Sequence, residues 1–183
     1  MAAKLGLLAG GGALAPAVAE AARAEGRPVF VVAFKGHTAP DWVQDFDHAW
    51  VPLGAVGRTL ALLHGAGCAE VCLIGRVGRP SLTAVALDRR ARAMLARLGG
   101  RDAGDDKLLR LIVAELESDG FRVVGADALA ARLLAPAGRI AGPDVPADAR
   151  ADIARGVAVA RALGTVDVGQ RSEEHTSELQ SLL

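Results

Sequence analysis

The sequence predicts a doubly wound α/β fold, an open, mostly parallel sheet with helices on both faces. Three observations carry that expectation. Short continuous apolar runs, "LGLLA" near the start and "PVFVVAF" from Pro28, show no polar alternation, as strands covered on both faces require. Helical patterns rich in Ala, Leu and Arg separate these runs. The first run ends in Gly10, Gly11 and Gly12 and passes directly into a helical stretch, and in open α/β sheets ligands lie outside such carboxyl ends.

Taken in order, Lys4 to Ala9 reads as a buried strand and Pro16 to Glu25 as a helix with proline near its first turn, closed by Gly26. Arg27 to Phe34 is a second strand and His48 to Leu53 a short third one. Gly57 to His64 is helical, "GAG" ends it, and Glu70 to Ile74 is the next strand. Gly75 to Ser81, "GRVGRPS", is the loop leaving that strand. Helical patterns follow over Ala84 to Leu98 and Asp105 to Ser118, then a strand over Phe121 to Val124 and a short helix over Asp127 to Leu134. Pro and Gly cluster from Ala135 to Ala147 as a linker, Asp148 to Leu163 is a helix capped by Asp144 or Asp148, and "GTVDVGQ" reads as the entry to a further strand.

The 183 residues are 51% hydrophobic but only 3% aromatic, with no Tyr, so Ala, Leu and Val must build the core. Charge is balanced at 21 bases and 21 acids, which argues against a nucleic-acid footprint. No apolar run approaches the roughly 18 residues that cross a bilayer, and the amino terminus does not read as a signal peptide, so a cytoplasmic location is expected. Cys68 and Cys72 would share a face of an extended segment with Cα atoms about 13 Å apart, too far for a disulfide.

Three features could carry chemistry. Backbone N–H groups of Gly10, Gly11 and Gly12 at a helix start could hold an anion, or could simply turn the chain tightly; neither a G-x-G-x-x-G spacing nor a P-loop lysine accompanies them. Arg76 and Arg79 could clamp a phosphate, or could pair with neighbouring carboxylates. Asp105 fits a helix N-cap, and with Asp106 could alternatively help hold a divalent cation. His37, His48 and His64 show no recognisable spacing to an acid or nucleophile.

Four stretches together carry a resemblance: "KLGLLAGGGALAP", "PLGAVGRTLALLHGAGCAEVCLIGRVGRPSL", "GDDKLLRLIVAELESDGFRVVGA" and "GTVDVGQ". In this order and spacing the chain resembles the LpxI-type UDP-2,3-diacylglucosamine pyrophosphatases from about Lys4 to Gln170. The resemblance implies a Rossmann-like amino-terminal domain over residues 1–134, then over 135–170 a linker, a helix and the start of a truncated carboxyl-terminal catalytic domain. It implies hydrolysis of the pyrophosphate of UDP-2,3-diacylglucosamine to UMP and 2,3-diacylglucosamine 1-phosphate in lipid A biosynthesis, with magnesium as cofactor. By position, Gly10, Gly11, Gly12, Arg76, Arg79 and Asp106 would face the substrate. The catalytic groups would belong to the second domain, so this chain is expected to be inactive. The alternative is a non-catalytic nucleotide-binding module. Peripheral membrane contact through the lipid substrate and a homodimer are further expectations.

Residues 171–183, "RSEEHTSELQSLL", have none of the Ala, Val and Gly character of the preceding chain. Reverse-translated, the first eleven match a widely used short-read sequencing adapter, so this tail is expected to be artefactual.

Overall fold

A computed structural model describes residues 3–78, 86–97, 105–131, 134–136 and 138–165. The chain divides into two compact units, Met1–Leu134 and Ala135–Leu183. In the first, five parallel strands, β1 (Leu5–Ala9), β2 (Val29–Phe34), β3 (Asp47–Val51), β4 (Glu70–Ile74) and β5 (Arg122–Val123), lie in the order β3-β2-β1-β4-β5. The helices are α1 (Leu14–Ala24), α2 (Val56–Gly65), α3 (Arg89–Ala96), α4 (Asp105–Ser118) and α5 (Ala126–Leu129), with a 3-10 turn at Val43–Asp45. This is the Rossmann-like architecture the apolar runs predict.

The pleat explains why those runs lack alternation. Leu5, Leu7, Val31, Ala33 and Cys72 point to one face, beneath α1 and α5, where Ala15, Val18, Ala19, Ala22 and Leu129 cover them. Leu8, Val32 and Val71 point to the other, beneath Leu60 and Leu63 of α2 and Leu116 of α4. Leu5, Leu7, Val31, Val32 and Leu63 are all fully buried, and each such side chain contributes about 1.5–3 kcal/mol. Alanine-rich α1 suits its place, because small side chains let a helix lie close on the sheet. Gly6 plays the same part beneath α2, since a Cβ there would collide with Leu63 Cδ2.

Several boundaries move for identifiable reasons. The first helix starts at Leu14, two residues before the predicted Pro16; proline is tolerated in the first turn because N–H groups there have no intrahelical acceptor. The helix predicted from Ala84 starts at Arg89, because Asp88 is extended and caps it, its Oδ1 accepting from Ala91 N at 2.7 Å. The other oxygen of Asp88 accepts from Gly57 N in the first turn of α2, also at 2.7 Å, so one carboxylate serves two helix starts. α4 begins at Asp105 itself, which is therefore a first-turn acid rather than the predicted cap. The last strand shrinks to Arg122–Val123, and α5 ends at Leu129 where Ala130 leaves helical backbone. Cys68 precedes β4 and packs on the face opposite Cys72, so the two do not share a side; both are free and buried.

In the second unit α6 (Ala149–Thr165) has no buried residue. Asp148 accepts from Ala149 N at 3.0 Å, whereas Asp144 pairs with Arg139 at 2.6 Å and caps nothing. The predicted strand entry after Thr165 and the tail at 171–183 lie outside the described residues. No helix among the described residues is long and apolar enough to cross a membrane.

Candidate functional site at the strand-order reversal

From β1 the chain winds outward through β2 to β3, then returns to the other side of β1 as β4. The reversal leaves a crevice at the carboxyl ends of β1 and β4, where such sheets place their ligands. Gly10 N extends the ladder to Ile74 O at 2.8 Å. Beyond it the two exits turn against each other: Gly11 N donates to Arg76 O at 2.7 Å and Arg76 N to Gly11 O at 2.8 Å, an antiparallel bridge between otherwise parallel strands.

That crossing dictates glycine. A Cβ on Gly10 would lie 2.6 Å from Arg76 O, and one on Gly75, whose φ is +93°, would lie 2.8 Å from Gly10 C. Both obstacles are backbone, which cannot swing away. At Gly12, with φ +96°, the atoms nearest to where a Cβ would stand belong to the Arg76 guanidinium, Nε at 3.9 Å. The bridge thus carries the Arg76 side chain over the glycine turn. Arg76 is exposed, and no ion pair to another described residue holds it.

A third loop closes the turn from the β2 side. His37 O would lie 2.7 Å from a Cβ on Gly11, and its ring Cε1 3.9 Å from one on Gly78. The loop is pinned: His37 N and Thr38 N both donate to Phe34 O at 3.0 Å. The buried Thr38 hydroxyl accepts from Phe34 N at 2.8 Å and donates to Ala9 O at 2.5 Å, locking the ends of β1 and β2 together. The α1 N-terminus beside them has no side-chain cap and no acid in its first turn, leaving its partial positive charge, about half an elementary charge, uncompensated.

Of the six predicted site residues, Gly10, Gly11, Gly12 and Arg76 therefore meet. Arg79 lies outside the described residues, and Asp106 sits in the first turn of α4 with its side chain outside them. Sequence reasoning passed over His37 and Thr38. The signal that could have found them is position, since both directly follow the second strand of a doubly wound sheet. Contrary to the expectation for the glycine N–H groups, Gly10 N and Gly11 N are already donated to Ile74 O and Arg76 O, so an anion here would be held by the Arg76 guanidinium and the uncapped start of α1. Magnesium needs about six oxygens, usually including one or two carboxylates. Among the described residues no three His, Cys, Asp or Glu side chains come together, so these residues do not fit that ion.

A second charged cluster has a structural role. Arg90 joins Glu115 Oε1 at 2.6 Å and Asp119 Oδ1 at 2.7 Å, Arg97 joins Glu115 Oε2 at 3.3 Å, and His64 Nε2 lies 2.7 Å from Asp119 Oδ2. The histidine–acid pair that spacing did not reveal is thus made across 55 residues, with the His64 ring also stacked on Phe121 at 4.4 Å. The hydrogen bond from His64, helped by Arg90, holds the Asp119 carboxyl below its usual range, and the two carboxylates raise Arg90. Burial pushes the Cys72 thiol up to about 11, with Asp127 adding to the rise, so it is no nucleophile at neutral pH.

An open parallel sheet whose first strand ends in a glycine turn, met by an arginine loop at the strand-order reversal, defines a Rossmann-like α/β domain. Residues 4–133 match the family described as LpxI N-terminal domain, and the chain belongs to that family. It is 35% identical over 168 residues to the UDP-2,3-diacylglucosamine pyrophosphatase LpxI of Caulobacter vibrioides, a match covering 91% of this chain and 60% of that protein. The chain thus spans about three-fifths of the length of the curated relative it matches. Among solved structures, a UDP-glucose-4-epimerase (galE) from Stenotrophomonas maltophila with bound NAD and formylated UDP-arabinopyranose aligns at a TM-score of 0.43 and 11% identity, covering 68% of this chain and 36% of that one.

Proposed function

We propose that this chain is the nucleotide-holding part of a UDP-2,3-diacylglucosamine pyrophosphatase, which hydrolyses that substrate to UMP and 2,3-diacylglucosamine 1-phosphate in lipid A biosynthesis. The relationship to the Caulobacter protein supports the substrate class, and the single structural observation behind the binding role is the Gly11–Arg76 bridge. It sets a guanidinium beside Gly12, two residues before the uncapped start of α1. Arg76 and the α1 N-terminus would take the diphosphate, with Arg79 and Asp106 as further contacts. Phosphoanhydride hydrolysis needs an oriented water and a concentrated positive charge to lower its barrier by about 8 kcal/mol or more. The described residues offer binding groups rather than that machinery, so this chain alone binds without turning over. Magnesium, as the expected cofactor, is left to carboxylates outside the described residues. A cytoplasmic location, contact with the membrane through the lipid substrate and homodimerisation belong to the same reading.

Calorimetric titration with UDP and an assay of UMP release from UDP-2,3-diacylglucosamine with magnesium test it together. Saturable UDP binding without turnover is expected. Turnover by this chain would overturn the division of labour; an absence of nucleotide binding would overturn the site. Titration with NADH should show no binding.

A further inference from the structure

We infer that His37 makes this site select a nucleoside diphosphate over a monophosphate, an inference that rests on the nucleotide-binding reading above. In doubly wound sheets the residue just beyond the second strand meets the part of the ligand adjoining the phosphate turn. An acid there suits a ribose diol, whereas an arginine accommodates a phosphate on the ribose 2′ position, so the charge of this residue tells an uncharged group from an anionic one. Here the segment Phe34-Lys-Gly-His-Thr38 contains no acid and two potential cations.

Geometry singles out His37 from that pair. Its backbone is fixed against Gly11 and its ring reaches Gly78, so the imidazole spans the gap between the loops that follow β2 and β4. The ring is half-buried, and its nitrogens have no hydrogen-bond partner among the described residues. Where it comes closest the opposing residue is Gly78, which has no side chain. Arg76 stands two residues before Gly78 on the loop that leaves β4, its guanidinium beside Gly12. Lys35 and Asp41, both exposed, stand on the same loop as His37. An anion taken by the glycine turn and Arg76 would leave a second phosphoryl group, one bridging oxygen away, beside a ring N–H. Imidazole offers a donor whether neutral or protonated.

The test is calorimetric titration of the whole chain with UDP and with UMP, for the wild type and for His37→Ala, His37→Gln and Arg76→Gln, with thermal melts as a folding control. One charge-assisted hydrogen bond corresponds to about tenfold or more in affinity, so wild type should prefer UDP by about that factor. His37→Ala should weaken UDP about tenfold and leave UMP unchanged, His37→Gln should fall between, and Arg76→Gln should weaken both. In the wild type, the His37 ring resonances should shift on adding UDP but not UMP. Equal affinity for the two nucleotides, or a preference for UDP that survives His37→Ala, overturns the role of His37 while leaving the site intact. Failure of both nucleotides to bind overturns the site reading and this inference with it.

Discussion

The two ends of the sheet are built on opposite principles. At the amino-terminal end, charges meet charges. Glu70, whose side chain is 8% exposed, is held between Arg27 and Arg122, and Lys4 reaches Asp47 at 3.5 Å. At the carboxyl end, the exposed Arg76 and Lys35 have no ion pair with a described carboxylate, and backbone rather than side chain fills the space between strands. One end has had its electrostatics neutralised in favour of stability. The other leaves its cations and the start of α1 without a side-chain counter-charge among the described residues.

Substitutions at each end should therefore fail differently, and Gly10→Val is expected to be the most damaging. Its side chain meets the Arg76 carbonyl and must force the two exits apart, costing about 3 kcal/mol and abolishing UDP binding. Thermal denaturation and titration together would show it. Glu70→Ala comes next. It strands the mostly buried Arg27, but Arg122 is 73% exposed and loses little, so about 2 kcal/mol is expected. UDP affinity should be untouched; a drop in both quantities would erase the distinction between the ends. Arg76→Gln reverses that pattern, with stability within about 0.5 kcal/mol of wild type and UDP binding about tenfold weaker.

The smallest effect concerns Asp119, in the turn that leads from α4 into the amino-terminal end of β5. Its carboxyl is held low in the folded state by His64 and Arg90. A depressed native value means that the unfolded chain takes up its proton first as pH falls. The stabilisation is therefore complete above the ordinary aspartate range, near pH 4, and disappears as pH drops through the lower native value. Because His64 is half-exposed, the contribution at neutral pH is about 0.5–1 kcal/mol. Asp119→Asn should melt lower than wild type at pH 7 and converge with it in acid; a gap that persists under strongly acidic conditions would refute the pairing.

Much of this architecture was legible in the residues. "LGLLA" and "PVFVVAF" could only be strands covered on both sides, because alternating polar positions were absent, and the glycine turn followed the first of them. Glu70–Ile74 and Asp105–Ser118 fall where the pattern sets them. Long-range pairings were not legible. The cap that starts α3 at Arg89 is also the cap of α2, an identity that no local window contains. His64 found its acid across the fold for the same reason. The site was half-legible: glycine and arginine announce themselves by type, whereas His37 gains meaning only when the sheet sets β2 beside β1. Arg79 and Asp106 rest on residue type and the resemblance, their side chains lying outside the described residues.

The double duty of Asp88 has a consequence for mutational tolerance. An ordinary cap protects one helix, and its loss frays one end. Here a single side chain must be short enough to reach Ala91 N and forked enough to reach Gly57 N at the same moment. Serine could satisfy one amide and glutamate would overshoot both. Asparagine keeps the fork but offers one acceptor oxygen and turns an N–H donor on the other amide, so in a saturation scan position 88 should accept little besides aspartate, a bottleneck shared by two helices.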